Sequence, residues 1–364
     1  MQPNLTDQLL PLFNRGLRLH RQNQTITHLG DRSQYIGMSD IAKGMECLRA
    51  AVAGKLAFTE SAPNLKTEVD IAASLSKELK MQCGHWFEAG VKQVFESLGL
   101  PFLHQLEIQT VHQNIPINAH LDFVLLHPDS PNQVHIVEVK SCQNMPDTMY
   151  SSYEMQLMGQ LGLLHNLWDE PCFNLRDQTG TYLYRNLSFP LLVKNALAVE
   201  LPTSINQVVL QGSILMLSMN EARAIGSYEA NTIITESCLK LAKQIWSNAK
   251  LVKDNKIALN QIPCAHGYHP LCDWCDYNAA CSHFDGSAAP ELEYDLLLLR
   301  ELKAQKDAVQ CHIKELEERL KNAFQNIGSG GDWVSAQTMR MRVVNCQRNN
   351  NVHQRLYLSP INRS

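Results

Sequence analysis

The sequence lacks a long apolar run. No stretch among its 364 residues approaches the length of uncharged apolar sequence, about 18 residues or more, that a membrane-spanning helix needs. Its polar start, MQPNLTDQLL, also lacks the cationic end and the apolar run of a secretory signal. We therefore expect a cytoplasmic protein without a membrane partner.

Net charge is small, and internal repeats are absent. The formal charge of −4 argues against a protein coated in positive charge, so binding to nucleic acid must rely on a local basic surface. Eleven cysteines in a reducing compartment do not indicate a disulfide framework, which leaves thiols and metal ligands as interpretations. The apolar fraction of 45% allows one large domain or a core with appendages.

Hydrophobic periodicity predicts an α/β core in which helices cover a sheet. Helices are expected over residues 40–53, 76–99, 147–167 and 228–250, and strands over 103–111, 119–127, 134–142 and 207–218. The predicted order is helix, three strands, helix, strand and helix.

A long helix is predicted over 292–324, where apolar residues recur at alternating spacings of three and four. They are Leu299, Leu302, Val309, Ile313, Leu316 and Leu320. Packing on the protein's own surface is favoured over an intermolecular coiled coil, because the segment holds only about three to four heptads. GSGGD at 328–332 ends the helix, and a β-rich basic tail follows. Its arginines include Arg340, Arg342, Arg348 and Arg355.

Two charges interrupt the apolar strand 134-VHIVEVKSC-142. Strand alternation places Glu138 and Lys140 on one face, and such residues are rarely buried unless they are paired or bind a metal. Taken alone, the pair suits the solvent face of an edge strand. Asp122, in the preceding strand, would approach both residues if the hairpin register matches. Two carboxylates would then face one point beside a lysine.

Two or three carboxylates suffice to bind Mg²⁺, which keeps several waters. A neighbouring lysine can orient or deprotonate a water, or stabilise charge on phosphate oxygens. The motif 84-GHWFE-88 supplies two candidates for a third ligand, His85 and Glu88, which share a helical face. Taken alone, His85 is better explained as a structural residue and Glu88 as a solvated charge.

The combination resembles the PD-(D/E)XK nuclease superfamily, in which an acid-bearing helix precedes an Asp on one strand and E-x-K on the next. 153-YEMQLMGQ-160 resembles the glutamine-bearing helix of RecB-like nucleases and of phage exonucleases of the lambda and YqaJ types. Glu88 stands four residues after Gly84, as the first ligand does in those families. The pattern departs at Gln160, where the RecB-like branch has tyrosine, and at Ala119, where many relatives have glycine.

The resemblance implies a restriction-endonuclease-like core with a central mixed sheet flanked by helices. It also implies the roles of the site residues. Mg²⁺ or Mn²⁺ would be held by Glu88, Asp122, Glu138 and the carbonyl of Val139, with His85 as the alternative to Glu88. Lys140 would position the attacking water. Gln156 and Tyr153 would touch the scissile strand or support the site.

A compact cysteine unit lies in 264-CAHGYHPLCDWCDYNAACSHF-284. By spacing, Cys272, Cys275 and Cys281 suit either a zinc site or a four-iron cluster. The fourth zinc ligand would be Cys264, His266, His269 or His283. CRISPR-associated and AddB-type nucleases have a similar pattern, with one further cysteine near the N-terminus. That resemblance implies a mainly structural 4Fe-4S cluster held by Cys47 together with Cys272, Cys275 and Cys281.

Five segments are expected. They are an N-terminal helical region over 1–60, a nuclease core over 61–260, a cysteine cluster over 261–290, a long helix over 291–327 and a β-rich basic tail over 328–364. The implied function is a metal-dependent DNA exonuclease in recombination, repair or mobile-element processing. An endonuclease specific for DNA structure or single strands, and an inert DNA-binding scaffold, are the alternatives. Expected partners are DNA ends or single strands and a recombination or helicase protein.

Overall fold

The computed structural model describes residues 5–56, 68–127, 130–143, 145–146, 148–265, 272, 275, 277–278, 281–284, 290–327, 333–335, 339–348 and 351–360. The chain divides into two compact units, Met1–Asp285 and Gly286–Ser364. Within the described residues, no helix combines the length and the apolar character that crossing a membrane requires.

In the described part of the first unit, four α-helices precede three strands, and helices and strand pairs follow, whereas the described part of the second unit has one α-helix followed by strands. The described α-helices are α1 (Leu5–Leu29), α2 (Met38–Glu46), α3 (Leu48–Lys55), α4 (Glu68–Ser97), α5 (Ser151–Asn166), α6 (Phe189–Leu197), α7 (Thr232–Lys253) and α8 (Glu293–Ile327). The described strands are β1 (Phe102–His112), β2 (Ile115–His127), β3 (Ser130–Ser141), β4 (Phe173–Arg176), β5 (Tyr182–Leu187), β6 (Val209–Leu217), β7 (Ala222–Glu229), β8 (Val334–Ser335), β9 (Met339–Arg348) and β10 (Asn351–Pro360).

A seven-stranded mixed sheet forms the centre of the first unit, in the order β5-β4-β1-β2-β3-β6-β7. β3 and β6 are parallel, and the other neighbouring strands are antiparallel. The β1–β2 hairpin turns at Gln113 and Asn114, whose φ values of 50° and 64° match the left-handed conformations of a tight two-residue turn. The predicted α/β class, with helices flanking a central sheet, is confirmed.

Helices cover both faces of this sheet. On one face, Val91 of α4 packs with Phe123 and Val137. On the other face, α5 lies among the largest apolar cluster and also packs against α7. Gly162 of α5 permits this helix contact, because a Cβ atom there would fall 1.8 Å from Oγ1 of Thr235. The sheet and α5 together fix the positions of the polar residues that interrupt the core.

Several predicted boundaries are wrong. The helix expected over 40–53 divides into α2 and α3, because Cys47 adopts an extended backbone with φ −154° and ψ 104°. The helix expected over 228–250 begins at Thr232, since Tyr228 belongs to β7. Sequence periodicity also missed β4, β5, α6 and β7. β4 has only four residues, and most of β7 is exposed, so neither strand carries a strong apolar pattern.

In the second unit, α8 precedes a three-stranded antiparallel sheet in the order β10-β9-β8. The long C-terminal helix is thus confirmed. Most of its predicted apolar stripe is exposed, namely Leu299, Leu302, Val309, Ile313 and Leu316. Phe324, near the end of the helix, is buried. GSGGD at 328–332 lies outside the described residues.

Candidate active site

The β2–β3 register brings Asp122 and Glu138 together. Phe123 pairs with Val137, so Asp122 and Glu138 occupy the next position, where the ladder ends. The backbone N–H of Val139 donates a hydrogen bond to Oδ2 of Asp122 at 2.8 Å. Both carboxylates therefore lie at the point where β2 and β3 separate.

Glu138 is buried, and side chains satisfy both of its oxygens. Oε1 accepts hydrogen bonds from Nζ of Lys140 at 2.7 Å and from Nε2 of Gln156 at 2.5 Å. Oε2 accepts one from Nε2 of Gln160 at 2.8 Å. Gln160 also donates to the carbonyl of His120 at 3.0 Å and so links α5 to β2. Gln160, which stands where the RecB-like pattern has tyrosine, thus orients Glu138.

Lys140 lies among groups that suit an ammonium ion. Nζ donates to Oε1 of Gln156 at 3.0 Å and lies 5.0 Å from the ring centre of Tyr153. Burial alone would lower the pKa of Lys140, but the charges of Glu138 and Asp122 outweigh it and raise that pKa. The structure therefore brings Lys140, Gln156 and Tyr153 together beside Glu138.

Glu88 of α4 reaches the same region, whereas His85 is exposed on that helix. Oε1 of Glu88 lies 2.8 Å from Nε2 of His104 and accepts a hydrogen bond from Nε2 of Gln105 at 2.5 Å. Burial would raise the pKa of Glu88, but these hydrogen bonds outweigh burial and lower it. Of the two predicted helix ligands, Glu88 is the one near Asp122.

Asp122 lies partly buried beside two other carboxylates. Burial, followed by the charges of Glu138 and Glu88, raises its pKa well above the ordinary value. The charge of Lys140 and the N–H of Val139 oppose this shift only in part. Burial and the neighbouring carboxylates therefore disfavour the charged form of Asp122.

Gln105 lies between two of these carboxylates. Its amide nitrogen, besides donating to Glu88, donates to Oδ1 of Asp122 at 3.3 Å. Its φ of 54° lies in the left-handed region, so side-chain alternation along β1 breaks there. Leu103 and Leu106, three residues apart, both belong to the same core cluster. Side chains on one face of a regular strand are two residues apart, so the spacing of three in 103-LHQLEI-108 indicates an irregular backbone near Gln105. The sequence prediction did not use this signal and missed Gln105.

The carboxylates do not form a closed ligand set in this arrangement. Within the described residues, no three His, Cys, Asp or Glu side chains are grouped so that they could hold a metal ion. The contacts give the reason, because Glu138 turns toward Lys140 and α5 while the amide of Gln105 separates Glu88 from Asp122. Ligation by all three would require Gln105 to move and Glu138 to turn from α5.

A second buried carboxylate, Glu107, lies on the same sheet, and its partners are side chains of its own and neighbouring strands. It accepts hydrogen bonds from Nδ2 of Asn118 and Nε2 of Gln109, both at 2.9 Å. Nε of Arg176 lies 3.5 Å from its Oε2. His120 is directly opposite across the strand pair, and burial lowers the pKa of this histidine to about 4. Glu107 thus resembles Glu138 in burial and in having two amide donors, but the cation beside it is an arginine rather than a lysine.

The cysteine region is tied to the N-terminal helices by Arg49. This buried side chain donates to the carbonyls of Ile262 and Asn260, both at 2.8 Å. Its Nη1 donates to Sγ of Cys281 at 3.2 Å. Cys47, two residues earlier, lies at the junction of α2 and α3.

Backbone hydrogen bonds over three residues involve each of Cys272, Cys275 and Cys281. The N–H of Cys275 donates to the carbonyl of Cys272 at 3.1 Å, and the N–H of Cys281 donates to Asn278 at 3.0 Å. Sγ of Cys264 lies 3.7 Å from Nδ1 of His283. The other candidate zinc ligands, His266 and His269, lie outside the described residues.

Comparison with known proteins gives only distant matches. No protein-family model and no curated protein matches the chain. The solved structure of SSO0001 is similar with 13% identity and a TM-score of 0.38, over 77% of this chain and 98% of that one. A candidate exonuclease from Eubacterium rectale is similar with 12% identity and a TM-score of 0.25, over 71% and 91%. These similarities are too low to indicate a function, so the residues of the site must do so.

Proposed function

We propose that this chain is a metal-dependent DNA nuclease of the PD-(D/E)XK superfamily, acting as an exonuclease on DNA ends in recombination, repair or mobile-element processing. The observation that carries the proposal is the convergence of Glu88, Asp122 and Glu138 beside Lys140. These residues come from a helix and the paired strands that follow it. This arrangement suits hydrolysis of a phosphodiester by in-line attack of water.

The carboxylate oxygens of the site suit Mg²⁺ or Mn²⁺ once Gln105 moves from between Glu88 and Asp122. Carboxylate oxygens are the ligands these hard cations prefer. A cation would offset the two causes that raise the pKa of Asp122, which are burial and then the charges of Glu138 and Glu88. Glu88, Asp122, Glu138 and the carbonyl of Val139 would hold the ion. A bound ion supplies Lewis-acid stabilisation of the charge that develops on the phosphate.

Lys140 acts in this proposal as a hydrogen-bond donor. A lysine ammonium has three donors and no acceptor, and Glu138 and Gln156 accept two of those hydrogen bonds. The remaining donor can hold the attacking water or a phosphate oxygen. Gln160 donates to the other oxygen of Glu138 and so holds this carboxylate beside Lys140 in the metal-free arrangement.

We also propose that Cys47, Cys272, Cys275 and Cys281 hold a 4Fe-4S cluster, mainly with a structural role. Arg49 supports this, because its hydrogen bonds tie α3 to residues 260–282 and its guanidinium donates to the sulfur of Cys281. The proximity of Cys264 and His283 supports zinc as the alternative.

DNA substrates of different topology test the function. Anaerobically purified protein is incubated with end-labelled linear duplex, single-stranded and closed circular DNA, with and without Mg²⁺ or Mn²⁺. We expect metal-dependent release of nucleotides from linear DNA and no cutting of circles. Cutting of circles would replace exonuclease with endonuclease. If the protein binds DNA but does not cut it in the presence of metal, the result would favour the alternative of an inert DNA-binding scaffold.

A further inference from the structure

One face of the C-terminal sheet carries arginines and aromatic rings in a regular arrangement. Arg342 of β9 lies directly opposite Tyr357 of β10. On the other side of β9, Ser335 pairs with Arg340, which places Trp333 level with Arg342. Trp333, Arg342 and Tyr357 therefore form a row across the three-stranded sheet.

Guanidinium groups and rings alternate on this face. Trp333 lies 4.9 Å from the guanidinium of Arg340 and 5.1 Å from that of Arg342, measured from the ring centre. Tyr357 lies 5.5 Å from Arg342 and 5.6 Å from Arg355. Both rings are 37% exposed, which leaves ring surface accessible to another molecule. We name these five residues the Trp333 face.

The arginines of this face have few acidic residues near them in the sequence, which suggests a role beyond stabilising the sheet. The last 32 residues, 333–364, contain five arginines and no aspartate or glutamate, although the whole chain has a net charge of −4. Elsewhere, the exposed Arg223 pairs with a nearby carboxylate, Glu221, at 3.1 Å. The Trp333 face has no carboxylate in its own segment, so an anionic partner would complement its charge.

We propose that the Trp333 face binds single-stranded DNA, with bases stacked on Trp333 and Tyr357 and phosphates paired with the arginines. Alternating aromatic and cationic side chains suit a single strand, because its bases present their faces to the rings. In a duplex those faces are covered by neighbouring base pairs. The inference goes beyond the proposed nuclease activity and does not depend on it, since binding needs neither metal nor cleavage.

Binding is measured on the full-length, anaerobically purified protein without Mg²⁺ or Mn²⁺. The probe is a fluorescein-labelled, mixed-sequence single strand of about 16 nucleotides, observed by fluorescence anisotropy. Trp333→Ala should weaken binding about tenfold through the loss of one stacked base, whereas Trp333→Phe should stay within about threefold of the unmodified protein.

The arginines make a separate prediction. Arg340→Gln and Arg355→Gln should each make the slope of log K against log salt shallower by about 0.7, as the loss of one phosphate contact on a single strand does. Lys250→Gln is the matched control, because Nζ of Lys250 lies 5.5 Å from the ring centre of Trp246 on α7, outside the face. It should change neither affinity nor slope.

Three results would overturn the inference. They are unchanged affinity of Trp333→Ala and Tyr357→Ala, equal binding of a duplex of the same length, and tighter binding of RNA of the same sequence. If Trp333→Ala fails to fold, Tyr357→Ala and the two arginine variants decide the matter. If the unmodified protein does not cleave DNA but the variants change binding as expected, only the proposed nuclease function is refuted.

Discussion

At the residue scale, the burial of Asp122 beside other carboxylates makes stability depend on pH. Its raised pKa means that the folded chain binds this proton more tightly than the unfolded chain does. The stability of the metal-free protein should therefore fall as pH rises from the ordinary Asp value toward the raised one. Asp122→Asn should remove this part of the pH dependence, as measured by urea unfolding across that pH range.

Mn²⁺ provides the control for Asp122. If the carboxylate cluster holds a cation, added Mn²⁺ should stabilise the unmodified protein above the raised pKa and should stabilise Asp122→Asn much less. An Asp122→Asn variant whose stability has the same pH dependence as the unmodified protein would contradict the electrostatic account of this residue.

Gln105 should control metal affinity, if the proposed function is correct. Its amide bridges Glu88 and Asp122, so a cation must displace hydrogen bonds to charged groups. Such bonds contribute about 1.5–3 kcal/mol each. Gln105→Ala should therefore bind Mn²⁺ about tenfold more tightly in calorimetry and should be less stable without metal.

Gln109→Ala is the matched control for Gln105. It removes a glutamine on the same strand that donates to a different buried carboxylate, Glu107, at 2.9 Å. It should lower stability without changing Mn²⁺ affinity. Equal Mn²⁺ affinity of the unmodified protein and Gln105→Ala would refute the role of the bridge, whereas no Mn²⁺ binding by any of the three would refute the metal site.

The candidate site could be predicted where it depends on regular periodicity. Glu138 and Lys140 share a face because strand side chains alternate, and the hairpin brings Asp122 opposite Glu138. Gln105 could not be placed in that way, because its contacts depend on a left-handed backbone conformation that breaks the alternation. The contact of Gln160 with Glu138 likewise depends on how α5 packs on the sheet.

At the scale of elements, helix α5 carries three residues of the site and depends on its contact with α7. A Cβ atom on Gly162 would meet three atoms of Thr235 within 2.8 Å. Gly162→Ala should therefore lower the free energy of unfolding by about 1–3 kcal/mol and should reduce cleavage by displacing Gln156 and Gln160. Denaturant unfolding and DNA cleavage measure the two effects.

Gly90→Ala, on α4, is the control for the same substitution in a helix. A Cβ atom there meets nothing within 4 Å, so the change should leave stability equal or raise it by up to about 1 kcal/mol. Equal effects of both alanines would show that the α5–α7 contact is not tight.

Element prediction succeeded where apolar patterns were long and failed where they were short or interrupted. β1, β2, β3 and α5 carry such patterns, and their predicted ranges overlap the observed ones. The break between α2 and α3 was missed because the apolar spacing continues through Cys47 while the backbone does not. β7 was missed because it is an edge strand with few buried residues.

At the scale of the whole molecule, the cysteines test whether residues distant in sequence share one site. Anaerobic protein should be brown, absorb near 400 nm by sulfur-to-iron charge transfer, and contain about four irons per chain. Cys47→Ser should lose the cluster and stability, because three thiolates would converge on an incomplete site. Absorbance, iron content and thermal unfolding measure these effects.

Cys264→Ser separates iron from zinc. Cys264 is adjacent to His283 and outside the proposed cluster, so its replacement should leave the colour and the iron content unchanged. Stoichiometric zinc without iron, or metal loss on Cys264→Ser but not on Cys47→Ser, would instead assign a local zinc site. The nuclease proposal would survive that result.

The central claim is that Asp122, Glu138 and Lys140 form a metal-dependent nuclease site, and the rate of DNA cleavage tests it most directly. The measurement compares nucleotide release from end-labelled linear DNA in Mn²⁺ by the unmodified protein, Asp122→Asn, Glu138→Gln and Lys140→Ala. Glu221→Gln, which changes an exposed carboxylate that pairs with Arg223, is the control. The account predicts release by the unmodified protein and the control, none without metal, and at least a hundredfold loss, about 2.7 kcal/mol, in each site variant. Undiminished release by all three site variants would contradict it.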